Sequence, residues 1–355
     1  MTTSLKDLTI AVVGATGAVG AEFFRIAEQR YSQLPKIKAL ASSRSVGKRL
    51  SVGGQELVVE EATEDSFAGV DIAFISVTSE VSLRLAPAAV AAGAVVIDDG
   101  SAFRMRDDVP LVVPEVNGAD VEWHSGIISI PNCATTPLVM AAHPLHQVNP
   151  IVRIVAATYQ SVSGAGGAPI VELREQTRDI LDGKQAKPEA ISQQIAFNVI
   201  PRIDGFGDDG YTFEEQKMRQ ETQKIMHSPD IRFSATCVRV PVYVSHCAAV
   251  HIEFERPMSV DEARQLMREM PGLTVLDDPS QGSYPMPWDV TGRDDVFVGR
   301  IRQDSSHPNG LVMWIAADNL RKGAALNSIQ IAEELVARNC LAPSLTQQVK
   351  SVASG

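Results

Sequence analysis

Short apolar runs alternate with amphipathic stretches along the first third of the chain. The runs are LTIAVVG (8–14), KIKALAS (36–42), DIAFIS (71–76) and AVVIDDG (94–100), with helical patterns near 18–30 and 80–92. Such alternation predicts βαβ units and a parallel, doubly wound sheet with helices on its faces. From about Arg153 the texture changes. RIVAATYQ (153–160), CVRVPVYV (237–244) and AAVHIEFE (248–255) are longer strand candidates, and they predict a mixed or antiparallel sheet with one face covered by helices. AALNSIQIAEELVARN (324–339) puts Ile329, Ala332, Leu335 and Val336 on one helical face, which predicts a last helix returning to the first domain. The ASG tail is expected to fray.

A chain of 355 residues exceeds a typical single core. The reading is therefore α/β in class, with an N-terminal Rossmann-type doubly wound sheet over 1–132 plus 326–355 and an α+β catalytic and dimerisation domain over 133–325. A net charge of -11 argues against broad binding to nucleic acid or anionic membrane, because both require clustered cations. The expected partner is a small molecule, and any anionic ligand must meet individually placed arginines and lysines. The four cysteines, at 133, 237, 247 and 340, show no C-x-x-C pair and no metal-ligand spacing, so neither zinc nor a disulfide framework is indicated. No secretory leader pattern opens the chain, and no apolar run approaches the roughly 20 residues of a membrane span. A cytoplasmic location is the expectation.

GATGAVG (14–20) follows a strand candidate and opens a helix. In that context Gly14, Gly17 and Gly20 let main-chain N–H groups approach a pyrophosphate at the helix start. After the second strand an NAD site usually carries an acidic residue for the ribose hydroxyl. This chain has ASSRSVGK (41–48) there, and Ser42, Ser43, Arg44 and Ser45 suit the 2′-phosphate of NADP(H) instead.

In IPNCATTPLVMAAHPL (130–145), Cys133 stands just before Thr135, Thr136 and Pro137, which are expected to cap a helix with proline in its first turn. The positive end of a helix favours the thiolate, so Cys133 is the candidate nucleophile. Cys237, Cys247 and Cys340 lie in strand or helix patterns and read as inert. Among seven histidines, His246 in PVYVSHCA is the candidate proton-transfer partner. His124, His143, His146, His227 and His307 carry no feature above a structural role, and His251 sits on a strand candidate.

With these segments in order, the chain resembles the aspartate-semialdehyde dehydrogenase family. The resemblance runs through GATGAVG, ASSRS (41–45), DDGSAFRM (98–105), VPEVN (113–117), PNCATT (131–136), QSVSGAG (160–166), FNVIPRID (197–204), GYTFEEQKM (210–218), VRVPV and SH within 238–246, VGRIR (298–302) and DNLRKGAA (318–325). It implies that Cys133 attacks aspartyl 4-phosphate, that phosphate departs, and that NADPH reduces the resulting thioester to the semialdehyde, with His246 as acid/base catalyst. It further implies that Gln160 positions the acyl group, Arg104 and Lys217 bind phosphate, Arg239 grips the α-carboxylate and Glu214 receives the α-ammonium. Thr16, Gly17, Ala18 and Val19 would hold the cofactor phosphates and Arg44 and Ser45 the 2′-phosphate. Ser163 and Gly164 would lie near the nicotinamide, with Asn319 at its carboxamide end. FISVTSEVS (74–82) departs from the glycine-containing stretch expected there, which leaves the cofactor contacts of that loop open. Family members are homodimers or homotetramers, with the second-domain sheet as the expected interface.

Two local expectations are sharper. Thr212 and Glu215 fit a capping box, which leaves Glu214 and Lys217, three apart, on one face of a helix over 212–226; read without the resemblance they form a surface ion pair. Arg239 and His246 are seven apart, so strict strand alternation would turn them to opposite faces. A bulge, or a strand ending before Ser245, must break the register, and Pro241 hints at it. The rival readings are an N-acetyl-γ-glutamyl-phosphate reductase, another acyl-phosphate or acyl-CoA reductase, and a catalytically silent paralogue with a scaffold role. A free ammonium at Glu214, both phosphate cations, and the retained thiol, histidine and arginine argue against them in turn.

Overall fold

The computed structural model describes residues 4–341, so the ASG tail lies outside the described residues. Contacts divide the chain into two units, one running to Pro131 and resuming at Ala324, the other Asn132–Gly323.

In chain order the first unit contains β1 (Thr9–Val13), α1 (Ala18–Arg30), β2 (Lys36–Ala41), β3 (Arg49–Val52), β4 (Gln55–Val58), β5 (Glu60–Glu61), β6 (Ile72–Ile75), α2 (Ser79–Ala91), β7 (Val95–Asp98), α3 (Pro114–Asn117) and β8 (Ile127–Ser129). The second contains α4 (Thr135–Val148), β9 (Ile151–Gln160), α5 (Gly167–Leu181), α6 (Phe213–Ile225), β10 (Arg232–Arg239), β11 (His246–Phe254), α7 (Val260–Glu269), β12 (Leu273–Val275), α8 (Pro287–Val290), β13 (Val296–Gln303) and β14 (Gly310–Ala317). A π-turn over Arg321–Ala325 then leads into α9 (Leu326–Ala337) of the first unit.

The first unit's main sheet is parallel, in the order β5-β2-β1-β6-β7-β8. Its central strands β1, β6 and β7 are apolar on both faces, as a doubly wound sheet requires. Ile10 and Val12 of β1, Phe74 of β6 and Ile97 of β7 pack with Phe23 of α1 and with Ile329 and Leu335 of α9. The intervening Ala11, Val13, Ala73 and Val96 pack with Leu85 and Ala89 of α2 on the other face. The face of α9 expected from its periodicity is the buried one.

The second sheet runs β10-β9-β11-β14-β13-β12. It is mixed, because β10/β9 and β12/β13 are parallel while the three inner pairings are antiparallel. α4 packs against β13 and β14, α6 against β10, and α7 against β12 and β13. Val155, Ala157, Tyr159, Ala249 and Trp314 are only partly covered, and the rings of Tyr159 and Trp314 meet with centroids 5.3 Å apart. CVRVPVYV is not one strand, contrary to expectation. β10 ends at Arg239, β11 begins at His246, and Ser245 between them has φ +80. Proline at 241 cannot donate to a ladder, and the left-handed Ser245 turns the chain into β11. Among the described residues no helix is long and apolar enough to cross a membrane.

Candidate active site

The thiol turn is built by Asn132. Its side-chain Oδ1 accepts the N–H of Ala134 at 2.8 Å, and its carbonyl accepts the N–H groups of Thr135 and Thr136 at 2.9 and 3.0 Å. The helix α4 therefore starts from an Asx-type turn. Thr135 and Thr136 lie inside the first turn, and Ala134 stands at the cap without a side-chain bond, so the expected threonine caps are replaced by Asn132. Cys133, half-buried, is carried at the positive end of this helix. Gly323 of the π-turn lies against it, since a Cβ at Gly323 would come within 2.9 Å of the Cys133 Cβ.

One face of α6 holds that turn. Glu221, 0 % exposed, accepts the main-chain N–H of Asn132 at 2.6 Å. Two turns earlier, Glu214 accepts the Asn132 amide at 2.8 Å and the Gln160 amide at 3.3 Å. Lys217 completes the stripe, 2.9 Å from Glu214 and 3.0 Å from Asp204. Burial alone would raise the Glu214 carboxyl, but Lys217 and then the Asn132 and Gln160 amides carry it below its ordinary value. Burial would lower the Lys217 ammonium, but Glu214 and then Asp204 raise it. The capping box forms, with Glu215 accepting the Thr212 N–H at 2.7 Å, so Glu214 is left to face Asn132 and Gln160.

The ends of β9, β10 and β11 supply the remaining groups. Pairing of β10 with β9 sets Arg239 beside Gln160. Arg239 Nη1 donates to the carbonyl of Ser161 at 2.7 Å, and the N–H of Ser161 donates to His246 Nδ1 at 3.1 Å. Burial lowers the Arg239 guanidinium, while negative charge on Cys133 and then Glu214 opposes that shift. Burial, then the Arg239 cation, holds the His246 imidazole down at about 3, against Glu214 and the Ser245 main chain. Gly164 leaves open the space these two groups face, because a Cβ there would lie 2.9 Å from His246 Nε2 and 3.1 Å from Arg239 Nη1. Asn319 Oδ1 accepts from the Ser245 N–H at 2.9 Å and the Ser163 hydroxyl at 3.0 Å. By contrast Cys237 and Cys247 are pushed up to about 12 by burial, as befits core thiols.

The first unit carries Thr16, Gly17, Ala18, Val19, Arg44, Ser45 and Arg104. Gly14 has φ +92, and a Cβ on it would run into the Ser76 carbonyl, while one on Gly20 would run into the Gly14 carbonyl. The loop thus turns tightly into α1, whose first-turn N–H groups have no intrahelical acceptor. Thr16 Oγ1 meets Ser45 Oγ at 3.2 Å, joining this loop to the serines after β2. Arg44 is exposed, and residues 42–48 hold no carboxylate, so the loop and the donors beside it fit a nicotinamide dinucleotide. Arg104 is buried and donates to the Asp99 carbonyl at 2.8 Å. In the 74–82 stretch, Ser76 donates to Asp99 at 2.7 Å.

Sequence reading does not find Asn132, Ser161, Glu221 or Gly323. Asn132 has a local signal, an asparagine two residues ahead of a helix cap, and Glu221 lies seven residues from Glu214, a helical spacing that returns to the same face. Ser161 and Gly323 act through main-chain contacts or the lack of a side chain, which residue type does not reveal.

Residues 9–124 match the family described as semialdehyde dehydrogenase, NAD binding domain, and residues 143–322 its dimerisation domain. Aspartate-semialdehyde dehydrogenase of Bacillus subtilis is 49% identical over 338 residues, 93% of this chain and 98% of that protein. A crystal structure of aspartate semialdehyde dehydrogenase II from Vibrio cholerae complexed with ASA is 43% identical, with a TM-score of 0.90 over 93% of this chain and 98% of that one. The Candida albicans aspartate semialdehyde dehydrogenase with NADP is 28% identical, with a TM-score of 0.74 over 94% and 99% of the two chains. With a thiol at a helix start, a buried histidine and a glycine-rich dinucleotide loop on this fold, the chain belongs to the aspartate-semialdehyde dehydrogenase family.

Proposed function

We propose that the protein catalyses the NADPH-dependent reductive dephosphorylation of L-aspartyl 4-phosphate to L-aspartate 4-semialdehyde, and the phosphate-dependent oxidation in reverse, in the biosynthesis of lysine, threonine and methionine. The observation that carries this reading is the convergence of Asn132, Gln160, Glu214 and Arg239 beside the Cys133 turn.

The Cys133 sulfur bonds to the acyl carbon, the bond from that carbon to the phosphate oxygen breaks, and phosphate leaves. NADPH, when bound, supplies the hydride that reduces the thioester. His246 is the acid/base partner of the thiol and of the substrate oxygen. Gln160 positions the acyl group, and Arg239 offers the α-carboxylate a planar two-toothed donor that a lysine lacks. Glu214, held anionic by Lys217, suits a free α-ammonium rather than an acylated amine. Arg104 and Lys217 bind phosphate. Thr16, Gly17, Ala18 and Val19 hold the cofactor phosphates, Arg44 and Ser45 the 2′-phosphate, Ser163 and Gly164 the nicotinamide, and Asn319 its carboxamide. The lack of a carboxylate in 42–48 supports NADP over NAD. Residues 1–132 with 326–355 would be the cofactor domain and 133–325 the catalytic and dimerisation domain of a cytoplasmic homodimer or homotetramer.

The test follows NADPH formation from L-aspartate semialdehyde and NADP, with and without inorganic phosphate, in wild type and Cys133→Ala. Phosphate dependence with loss of turnover in the variant is expected. Undiminished turnover by Cys133→Ala would end the thioester reading, and preference for N-acetylglutamate semialdehyde would replace the substrate.

A further inference from the structure

Ser161 is the residue through which the arginine and histidine of the site are joined. Its carbonyl accepts from Arg239 Nη1 at 2.7 Å and its N–H donates to His246 Nδ1 at 3.1 Å. A main-chain N–H has no acceptor role, so Nδ1 must present its lone pair to it, and a neutral imidazole then carries its proton on Nε2. The Ser161 hydroxyl lies 3.1 Å from Nδ1 but has a single proton, which it gives to Asn319 Oδ1, so the main-chain N–H is the donor to the ring.

Asn319 holds both ends of this contact. Its Oδ1 accepts the N–H of Ser245, the residue at φ +80 immediately before His246, and it also accepts from the hydroxyls of Ser163 at 3.0 Å and Ser161 at 3.2 Å. One side-chain oxygen therefore ties the segment that carries the ring to the segment that carries the donor. Nε2, buried and without a hydrogen-bond partner among the described residues, faces the space that a side chain at Gly164 would fill, 2.9 Å from such a Cβ. The charged groups acting on the ring are Arg239, which disfavours a second proton, and Glu214, which favours it.

We propose that the Ser161 main chain and Asn319 are positioning elements that hold His246 as the Nε2–H tautomer, so that the ring enters the reaction as a hydrogen-bond donor to the substrate oxygen. This rests on the assignment of Cys133 and His246 above and narrows it: in this tautomer Cys133 enters as the thiolate that its helix start favours, and His246 serves the substrate oxygen rather than taking the thiol proton. When a nucleophile or hydride adds to the acyl carbon, its oxygen gains the electron pair of the broken π bond, and the Nε2–H donates to that oxyanion without leaving the ring. To take the thiol proton at Nε2, the ring must first move its own proton to Nδ1 and give up the Ser161 bond. The competing arrangement, Nδ1–H turned to the Ser245 main chain, leaves the Ser161 N–H without its acceptor.

The test is two-bond proton–nitrogen correlation NMR of full-length protein carrying ¹⁵N-histidine, near neutral pH and without substrate, with His246→Asn assigning the signal. The Nε2–H pattern is expected in wild type and in Ser161→Ala, which keeps the main-chain donor. Asn319→Ala should show mixed tautomers, with kcat reduced on the order of 10²-fold and the KM for semialdehyde nearly unchanged. An Nδ1–H pattern in wild type overturns the tautomer, and an unmixed Nε2–H pattern in Asn319→Ala overturns the role of Asn319. Should Asn319→Ala fail to fold, wild type and Ser161→Ala still decide whether the main-chain donor sets the tautomer. The pattern is read without turnover, so it stands or falls separately from the Cys133→Ala assay.

Discussion

Glu221, on the third turn of α6, accepts the main-chain N–H of Asn132 at 2.6 Å, one residue before the thiol. Because Glu214 on the same helix face holds the Asn132 side chain, α6 grips the thiol turn by its main chain and its side chain together. Glu221→Ala orphans a buried N–H, which costs about 1–3 kcal/mol, and frees the turn. Urea unfolding should report that loss, and kcat should fall by about tenfold or more. Glu221→Gln retains an acceptor and should lose less of both. Equal losses in the two variants would show that the N–H contact is not what matters.

Gly323 tests packing on the thiol. A Cβ there would lie 2.9 Å from the Cys133 Cβ and 3.2 Å from its Cα, so Gly323→Ala must displace the turn or the π-turn. A displacement near 1 Å is expected to reduce kcat by about 10²-fold, with a slower rate of alkylation at Cys133. Unchanged alkylation and turnover would show that the turn yields without consequence.

Acid stability depends on buried groups of opposite sign, His246 and Asp98 among them, with Asp99 raised as Asp98 is and His124 lowered as His246 is. His246 has its folded value lowered from 6.5 to about 3, so between those limits the unfolded chain binds the extra proton and stability falls as pH falls. Asp98, raised by burial from 3.8 to about 6 despite its bond from Ser82, binds a proton first in the folded state, so its contribution is lost as pH rises through that window. Denaturant unfolding from pH 7 to 4 should therefore show a shallower decline in His246→Gln than in wild type and a steeper one in Asp98→Asn. Glu214, lowered in the folded state, adds to the decline at the acid end. The reverse order of slopes would refute this division.

Exposed Arg44 is the cation placed after β2. Removing one charged phosphate contact costs about 1.5–3 kcal/mol, so Arg44→Ala should lower kcat/KM for NADP by about 10- to 100-fold while leaving NAD nearly unaffected. Parallel losses with both cofactors would remove the 2′-phosphate from its role.

The partly covered face bearing Tyr159 and Trp314 belongs to the part of the chain that matches a dimerisation domain. Trp314→Glu would bury a charge in any interface formed there, and sedimentation should show a smaller species than wild type. A variant that sediments as wild type does would place the interface elsewhere.

Sequence by itself determined whatever a single element expresses along its own length. The alternation of apolar strands with helices specifies a sheet buried on both faces, the glycines of 14–20 specify a tight turn into a helix, and Thr212 with Glu215 specifies a helix start. Cys133 at the head of α4 was legible for the same reason, although its cap was not, since Asn132 rather than a threonine satisfies the first N–H groups. Arg239 and His246 showed that strand parity had to fail, but not where.

Tertiary structure decided the rest, because the decisive bonds join positions far apart in the chain. Asn132 to Glu221 spans 89 residues, Ser161 to His246 spans 85, and Ser161 to Asn319 spans 158. No periodicity encodes such pairs. The Ser161 pairs arise where β9 ends and β11 begins, and the Asn132 pair where α6 meets the start of α4, places where burial makes an unpaired polar group costly. That cost favours a left-handed serine before His246 and a main-chain donor against its ring.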